Sequence, residues 1–193
     1  MVDTGGMADT TVRVLDEAEW SLYRDVRLRA LAESPDSFTA TVEEEAQQPE
    51  QFWRDRMIRS QRLLAEQGQV PVGIVSVGPY EQDPTGEEVF GLYVVPQARG
   101  SGVSWRLVEA AAALATRNGR THLYYWVGTD NGRAVGFAKN FGFSTTGYRR
   151  PARPSDLELG DQEVAMEMWL GPDGTSVPNP TSSRAATREG PVA

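Results

Sequence analysis

The chain has no cysteine and a single histidine, His122, among its 193 residues. Without cysteine, a disulfide framework, a thiolate nucleophile, an iron-sulfur cluster and a cysteine-ligated zinc are excluded together, and a histidine-rich metal site goes with them. No metal is expected. Long apolar runs are also missing: none approaches the roughly 18 to 20 residues that a membrane span needs, and the opening MVDTGGMADT holds no signal-peptide core. No membrane partner and a cytoplasmic location are therefore expected. Positive charge is in short supply, with 19 Lys and Arg against 27 Asp and Glu. A net charge of -8 argues against the sequence-independent phosphate attraction of a nucleic-acid binder.

What is present suits one globular core with loose ends. The last 23 residues, 171–193, hold three glycines, four prolines and six serines or threonines, and residues 1–9 offer no anchoring apolar group. A flexible N-terminus over 1–9, one domain over 10–170 and a disordered tail over 171–193 are expected. A second methionine at Met7 marks an alternative start.

Within the domain, Thr10 to Asp16 alternates as a first strand, and Trp20, Tyr23, Val26 and Ala30 keep a helical spacing that stops before Ser34-Pro35. A loop carrying Glu43, Glu44 and Glu45 reads as a solvated charge run and leads to Pro49, which suits the first turn of a second helix. Arg62 to Glu66, Val70 to Val77 and Glu88 to Val95 read as an antiparallel meander. After Pro96 the period changes: Val103, Leu107, Ala111 and Leu114 form a helical stripe ending at Asn118-Gly119. A strand from His122 to Val127, a short helix from Asn131 to Phe141, and closing strands at Phe143 to Arg150 and Val164 to Leu170 complete the order. This is an α/β layer arrangement with a mixed sheet.

Charge is uneven along the chain. Pro96 to Arg153 carries nine cations against two anions, +7 within a total of -8, so the remainder carries -15. The same stretch begins with Arg99-Gly100-Ser101-Gly102-Val103-Ser104, a glycine-bearing turn between a strand and a helix. Such a turn aims unpaired backbone N–H groups and the positive end of the helix dipole at one point, a natural seat for phosphate, although a plain loop has the same composition. A P-loop would need a Lys-Ser or Lys-Thr pair that is missing. A dinucleotide fingerprint would need glycine at Trp105 and an acid near Arg120.

The pattern Arg99-x-x-Gly102-x-Ser104 resembles the Arg/Gln-x-x-Gly-x-Gly/Ala pyrophosphate loop of the GNAT superfamily of N-acetyltransferases. Leu92-Tyr93-Val94-Val95-Pro96 looks like that family's fourth strand. Asn131-x-x-Ala134 followed by Phe141-Gly142-Phe143 is similar to its second cofactor-contacting segment, and Arg27-Leu28-Arg29-Ala30-Leu31 also looks like bacterial members. The resemblance spans about 10–170. It implies a mixed, largely antiparallel sheet flanked by helices on both faces, with strands 4 and 5 splayed around acetyl-CoA (coenzyme A).

The resemblance also implies roles. Backbone amides of Gly100, Ser101, Gly102, Val103 and Ser104 would hold the pyrophosphate, with Arg99 either beside it or a plain surface cation. The backbone of Leu92 and Val94 would pair with the pantetheine arm, Asn131 would contact the pantetheine or the acetyl end, and Ala134 and Phe137 would line its far side. Glu88, eleven residues before Arg99, stands where histone-modifying relatives carry a general base, although Glu87 is adjacent and both suit a solvated strand start. The tyrosine that relatives use as general acid, five residues before Phe143, is Ala138 here; Tyr124, Tyr125 or a water would have to substitute, and Tyr124 is the candidate. His122 reads as structural or exposed.

The expected activity is acetyl-CoA-dependent N-acetyl transfer to a primary amine of a small molecule or peptide, by direct attack in a ternary complex. A catalytically weak acyl-CoA-binding interaction module is the alternative, and dimers among relatives leave a homodimer open.

Overall fold

The computed structural model describes residues 9–152 and 162–171. The expected flexible N-terminus, most of the expected tail and most of the loop between Pro151 and Gln162 lie outside the described residues.

The elements are β1 (Thr10–Val14), α1 (Trp20–Glu33), α2 (Val42–Ala46), α3 (Glu50–Arg59), β2 (Gln61–Gln67), β3 (Val70–Pro79), β4 (Gly86–Val94), α4 (Val103–Arg117), β5 (His122–Gly128), α5 (Gly132–Phe141), β6 (Ser144–Pro151) and β7 (Gln162–Trp169). They build one seven-stranded sheet in the order β1-β2-β3-β4-β5-β7-β6. Every neighbouring pair is antiparallel except β4 and β5. The meander over β2, β3 and β4 is as expected, and the fold is the mixed, largely antiparallel one.

Helices cover both faces, and β3 shows why. A Cβ on Gly73 would meet Val103 and Leu107 of α4, so its face belongs to α4. Ser76 has the opposite parity and pairs in register with Arg62, whose guanidinium lies over the Tyr23 ring of α1. Apolar positions at Val103, Leu107, Val108, Ala111, Ala112 and Ala115 are buried along α4. Strand residues Leu63, Leu64, Val75, Val77, Val89 and Leu123 are buried in the same core.

Gly73 lets α4 sit directly on the sheet: an added Cβ would lie 2.9 Å from the Tyr93 carbonyl oxygen and 3.0 Å from Leu107. One of those atoms is backbone and cannot swing aside. Gly73→Ala is expected to destabilise the fold by about 1–3 kcal/mol through overpacking. Urea denaturation checks it, and an unchanged midpoint would show that α4 does not depend on this close approach.

The segment with Glu43, Glu44 and Glu45 corrects the loop expectation. It forms α2, opened by a reciprocal cap in which Thr41 accepts from the Glu44 amide and Glu44 accepts from the Thr41 amide. Glu45 is not solvated but buried, 3% exposed. It accepts two bonds from Arg27, both 3.0 Å, and is ion-paired with Arg56 at 3.0 Å. Burial pushes its carboxyl up, but the two guanidinia outweigh that and hold it below its ordinary value.

Candidate active site

The gap in the sheet originates in β4. Across β3 and β4, Ser76 pairs with Phe90 but Ile74 pairs with Tyr93, so two steps on β3 face three on β4. The extra residue is a bulge at Gly91, whose φ of 63° favours glycine. On the other side, β4 pairs with β5 only from Gly86 opposite His122 to Val89 opposite Tyr125. Beyond that point the strands part.

Which backbone groups face the gap follows from strand parity. The Val95 amide donates to Val72 of β3 at 2.9 Å, so the amide and carbonyl of Val94, and of Leu92 two residues earlier, turn the other way. The Val94 carbonyl accepts from Arg99 Nε at 3.0 Å, and Arg99 Nη2 donates to Ser34 Oγ at 2.9 Å. Arg99 thus ties the end of β4 to the end of α1 and fixes the turn that follows.

That turn enters α4 through Gly100 and Gly102, with φ of 82° and 89°. A Cβ added at either would meet nothing within 4 Å, so glycine is there for its conformation and for open approach rather than for packing. Among the described residues, no partner accepts from the amides of Gly100, Gly102, Val103 or Ser104; the Ser101 amide donates to Ala98 at 3.4 Å and the first bond into the helix is Arg106 to Gly102. Four free donors at a helix N-terminus with open space before them fit a diphosphate. The Val103 side chain is core, 1% exposed, and the Ser101 hydroxyl donates to the Ala98 carbonyl at 2.7 Å. These two residues offer the turn no free side chain.

The gap widens into a cleft of about 1210 Å³ lined toward α4 and α5 by Gly100, Ser104, Asn131, Ala134 and Phe137. Asn131 has a structural duty as well, since its Oδ1 caps α5 by accepting from the Ala134 amide at 3.0 Å. The structure therefore brings together the sequence-predicted Leu92, Val94, Arg99, Gly100, Ser104, Asn131, Ala134 and Phe137 on one cleft.

Glu88 lines the same cleft. Its side chain is 20% exposed, and the nearest cation is Arg150, with Nη2 3.9 Å from Oε1. Burial pushes the Glu88 carboxyl above its ordinary value while Arg150 pulls the other way. Arg150 is committed elsewhere: its Nε donates to Glu163 at 2.7 Å and its guanidinium lies 4.3 Å over Trp126. Glu87, one residue away, points to the opposite face and is bound by Asn118 at 2.9 Å, so Glu88 is the carboxylate that the cleft can use.

Tyr124 must be corrected. It sits opposite Glu88 in the zone where β4 and β5 still pair, and its ring packs on Gly86 and stacks on Tyr80 at 4.0 Å. Its hydroxyl lies 2.9 Å from an Asp83 carboxylate oxygen and 3.0 Å from one of Glu167, with a single proton to share between them. Burial and those two carboxylates push its phenol well up, and it does not line the cleft. Tyr125, one residue on, does; burial pushes its phenol up to about 12. Ala138 is fully buried in the core and carries no acid. His122 stays with Asp83 and Glu167 beside Tyr124, in a structural cluster. Among the described residues no group of His, Asp and Glu could hold a metal, and no helix is long and apolar enough to cross a membrane.

Sequence reasoning missed the other end of the cleft, where Tyr23, Arg27, Arg56, Arg59, Arg62 and Ser76 line the wall. Its one available signal was Arg62, a cation inside the apolar run Arg62-Leu63-Leu64-Ala65.

Comparison with solved structures gives folds of the same kind. An IAA acetyltransferase from Bacillus cereus is 14% identical, with a TM-score of 0.62 over 84% of this chain and 100% of that one. The yncA protein of Salmonella typhimurium, solved with its cofactor acetyl-CoA, is 18% identical, with a TM-score of 0.62 over 83% and 94%. An N-acetyltransferase from Staphylococcus aureus is 15% identical, with a TM-score of 0.64 over 84% and 99%. No curated protein sequence matches. The model of the Acetyltransferase (GNAT) family matches residues 27–143, and with more than half of its length inside that match this chain belongs to the family, an acyltransferase that uses acetyl-CoA.

Proposed function

We propose that the protein moves the acetyl group of acetyl-CoA directly onto a primary amine. The observation that carries the reading is that one cleft is lined both by Gly100 and Ser104, at the two ends of the turn with free amides, and by the half-buried Glu88. When bound, coenzyme A supplies an activated thioester carbonyl. The free amides of Gly100, Gly102, Val103 and Ser104 would bind the diphosphate, and the gap-facing backbone of Leu92 and Val94 would align the pantetheine arm as an added strand. Ala134 and Phe137 would wall its far side, beside Asn131. Burying the reacting atoms between strands excludes water and strengthens every dipole aimed at them.

An attacking amine starts as an ammonium with a pKa near 10 and must lose a proton. Glu88 takes that proton. A thiol, with a pKa of about 8.5, leaves with little help near neutral pH, so Ala138 in place of an acid is tolerable. Tyr125, which lines the cleft and keeps its proton, is placed to return one. A covalent relay through cysteine is closed to a chain without that residue.

Mass spectrometry of an amine panel incubated with acetyl-CoA tests the reading. Products heavier by one acetyl group, formed with stoichiometric release of free thiol, are expected. Tight acetyl-CoA binding with no acetylated amine would overturn it in favour of a binding module.

A further inference from the structure

The far end of the cleft carries a charge imbalance that the reaction just described does not use. Arg62 is 2% exposed. Its Nη1 donates to Ser60 Oγ and its Nη2 to the Arg56 carbonyl, both at 3.0 Å, and its Nε has no partner among the described residues. The guanidinium is sandwiched between aromatic rings, with its carbon 4.7 Å from the Tyr23 centroid and 5.5 Å from that of Phe90. No carboxylate among the described residues pairs with it. Burial pulls it below its ordinary value against the Tyr23 phenol, and the charges of Arg56 and Arg27 add to the strain.

The acid paired with the neighbouring arginines is already committed. Glu45 is already shared by Arg27 and Arg56. Among the described residues, Arg59 donates to the Asp55 backbone carbonyl, at 3.4 Å, and forms no ion pair. Among the described residues, the one carboxylate paired with any of these four guanidinia is Glu45; Asp36 also lines the cleft. An arginine cannot shed its proton to relieve this, and a buried charge left uncompensated is costly. The stacked rings hold the plane of Arg62 at the wall, and Ser60 and Ser76 add hydroxyls beside it.

We infer that the amine acceptor carries a second group, an oxyanion such as a carboxylate or phosphate, which docks at the α3–β2 end of the cleft against Arg62, Arg56 and Arg59. The inference rests on the amine-acetylation reading above and specifies its substrate class. Register supplies the scale. Arg62 pairs with Ser76 and Ser76 with Phe90, so the backbones of Arg62 and Phe90 are separated by two strand spacings, about 10 Å, and Glu88 lies two residues along β4 from Phe90, about 7 Å further on. A linear acceptor with its amine at Glu88 and its anion several bonds away spans that distance, and opposite charges at the two ends of the cleft fix its direction. Glu88 receives the ammonium end, and the guanidinia take the other.

The test compares acceptors that differ only in that group. A series of ω-amino carboxylic acids from β-alanine to 6-aminohexanoate, the matching carboxamides and the matching aminoalkyl phosphonates would be assayed by thiol release at saturating acetyl-CoA. At the best chain length one anionic form is expected to exceed its carboxamide about tenfold to a hundredfold in kcat/KM, the span of one charge-assisted bidentate contact; which anion leads identifies the source. Arg62→Gln is expected to erase that preference by raising KM for the anionic acceptor, with KM for acetyl-CoA unchanged, and Arg62→Lys to restore part of it. Should Arg62→Gln fail to fold, the exposed Arg59→Gln and the wild-type comparison still decide. Acid, phosphonate and carboxamide acetylated equally at every length would overturn the inference and leave amine acetylation standing. No acetylation of any amine overturns both.

Discussion

Replacing Glu88 with glutamine is expected to lower kcat by about 10²- to 10⁴-fold near neutral pH, the range for removing a positioned general base, with acetyl-CoA affinity unchanged. The side chains have the same shape, so the loss isolates proton transfer. The pH profile gives a second signature. Because burial raises the Glu88 carboxyl above its ordinary value, the wild-type rate should fall on the acid side through a pKa above the usual glutamate range, and that limb should vanish in the variant. Stability should move the opposite way from activity. Between the ordinary pKa and the raised one, the folded state holds a proton that the unfolded chain has released, so stability falls as pH rises through that window. The ionised, buried carboxylate is a net cost above it, and Glu88→Gln should melt no lower than wild type at neutral pH. A variant that keeps both its kcat and its acid limb would remove Glu88 from the chemistry.

The second large effect is expected at Gly102. With φ of 89° and open space where a Cβ would stand, Gly102→Val places a branched side chain both in a strained backbone and over the amide cradle. The strain costs about 1–3 kcal/mol of stability. The obstruction removes two or more charge-assisted bonds, each worth about 1.5–3 kcal/mol, so KM for acetyl-CoA should rise at least about a hundredfold. Gly119→Val separates the two causes: Gly119 has φ of 75°, also with nothing within 4 Å, but caps the far end of α4. It should lose comparable stability and keep its cofactor affinity. Equal KM values for both valine variants would mean that the turn at Gly100 to Ser104 does not hold the cofactor.

The parts legible in the sequence were those governed by short-range rules. The strand period, the stripe on α4 and the Asn118-Gly119 stop located the elements, and the glycines at 100 and 102 announced positive φ because few other residues tolerate it. Polar residues whose partners lie far along the chain were not legible. Glu45 read as solvated because Arg27 and Arg56, its partners, come from two other helices. Thr41-x-x-Glu44 did carry a local capping signal for α2. Tyr124 failed for a geometric reason: alternation assigns faces to β5 but does not say at which residue β4 lets go, and the parting comes after Val89 and Tyr125. The bulge at Gly91 that helps to open the gap rests on β3–β4 pairing that no local pattern encodes.

The brevity of the β4–β5 contact turns the sheet into two leaves, β1 to β4 and β5 to β7, bound along a spine of four residue pairs. The angle between the leaves is set at that spine. There Tyr124 of one leaf stacks on Tyr80 of the other, and its hydroxyl bridges Asp83 to Glu167. Tyr124 is thus the rivet of the hinge, and trimming it would alter how far apart the pages stand where the two strands part.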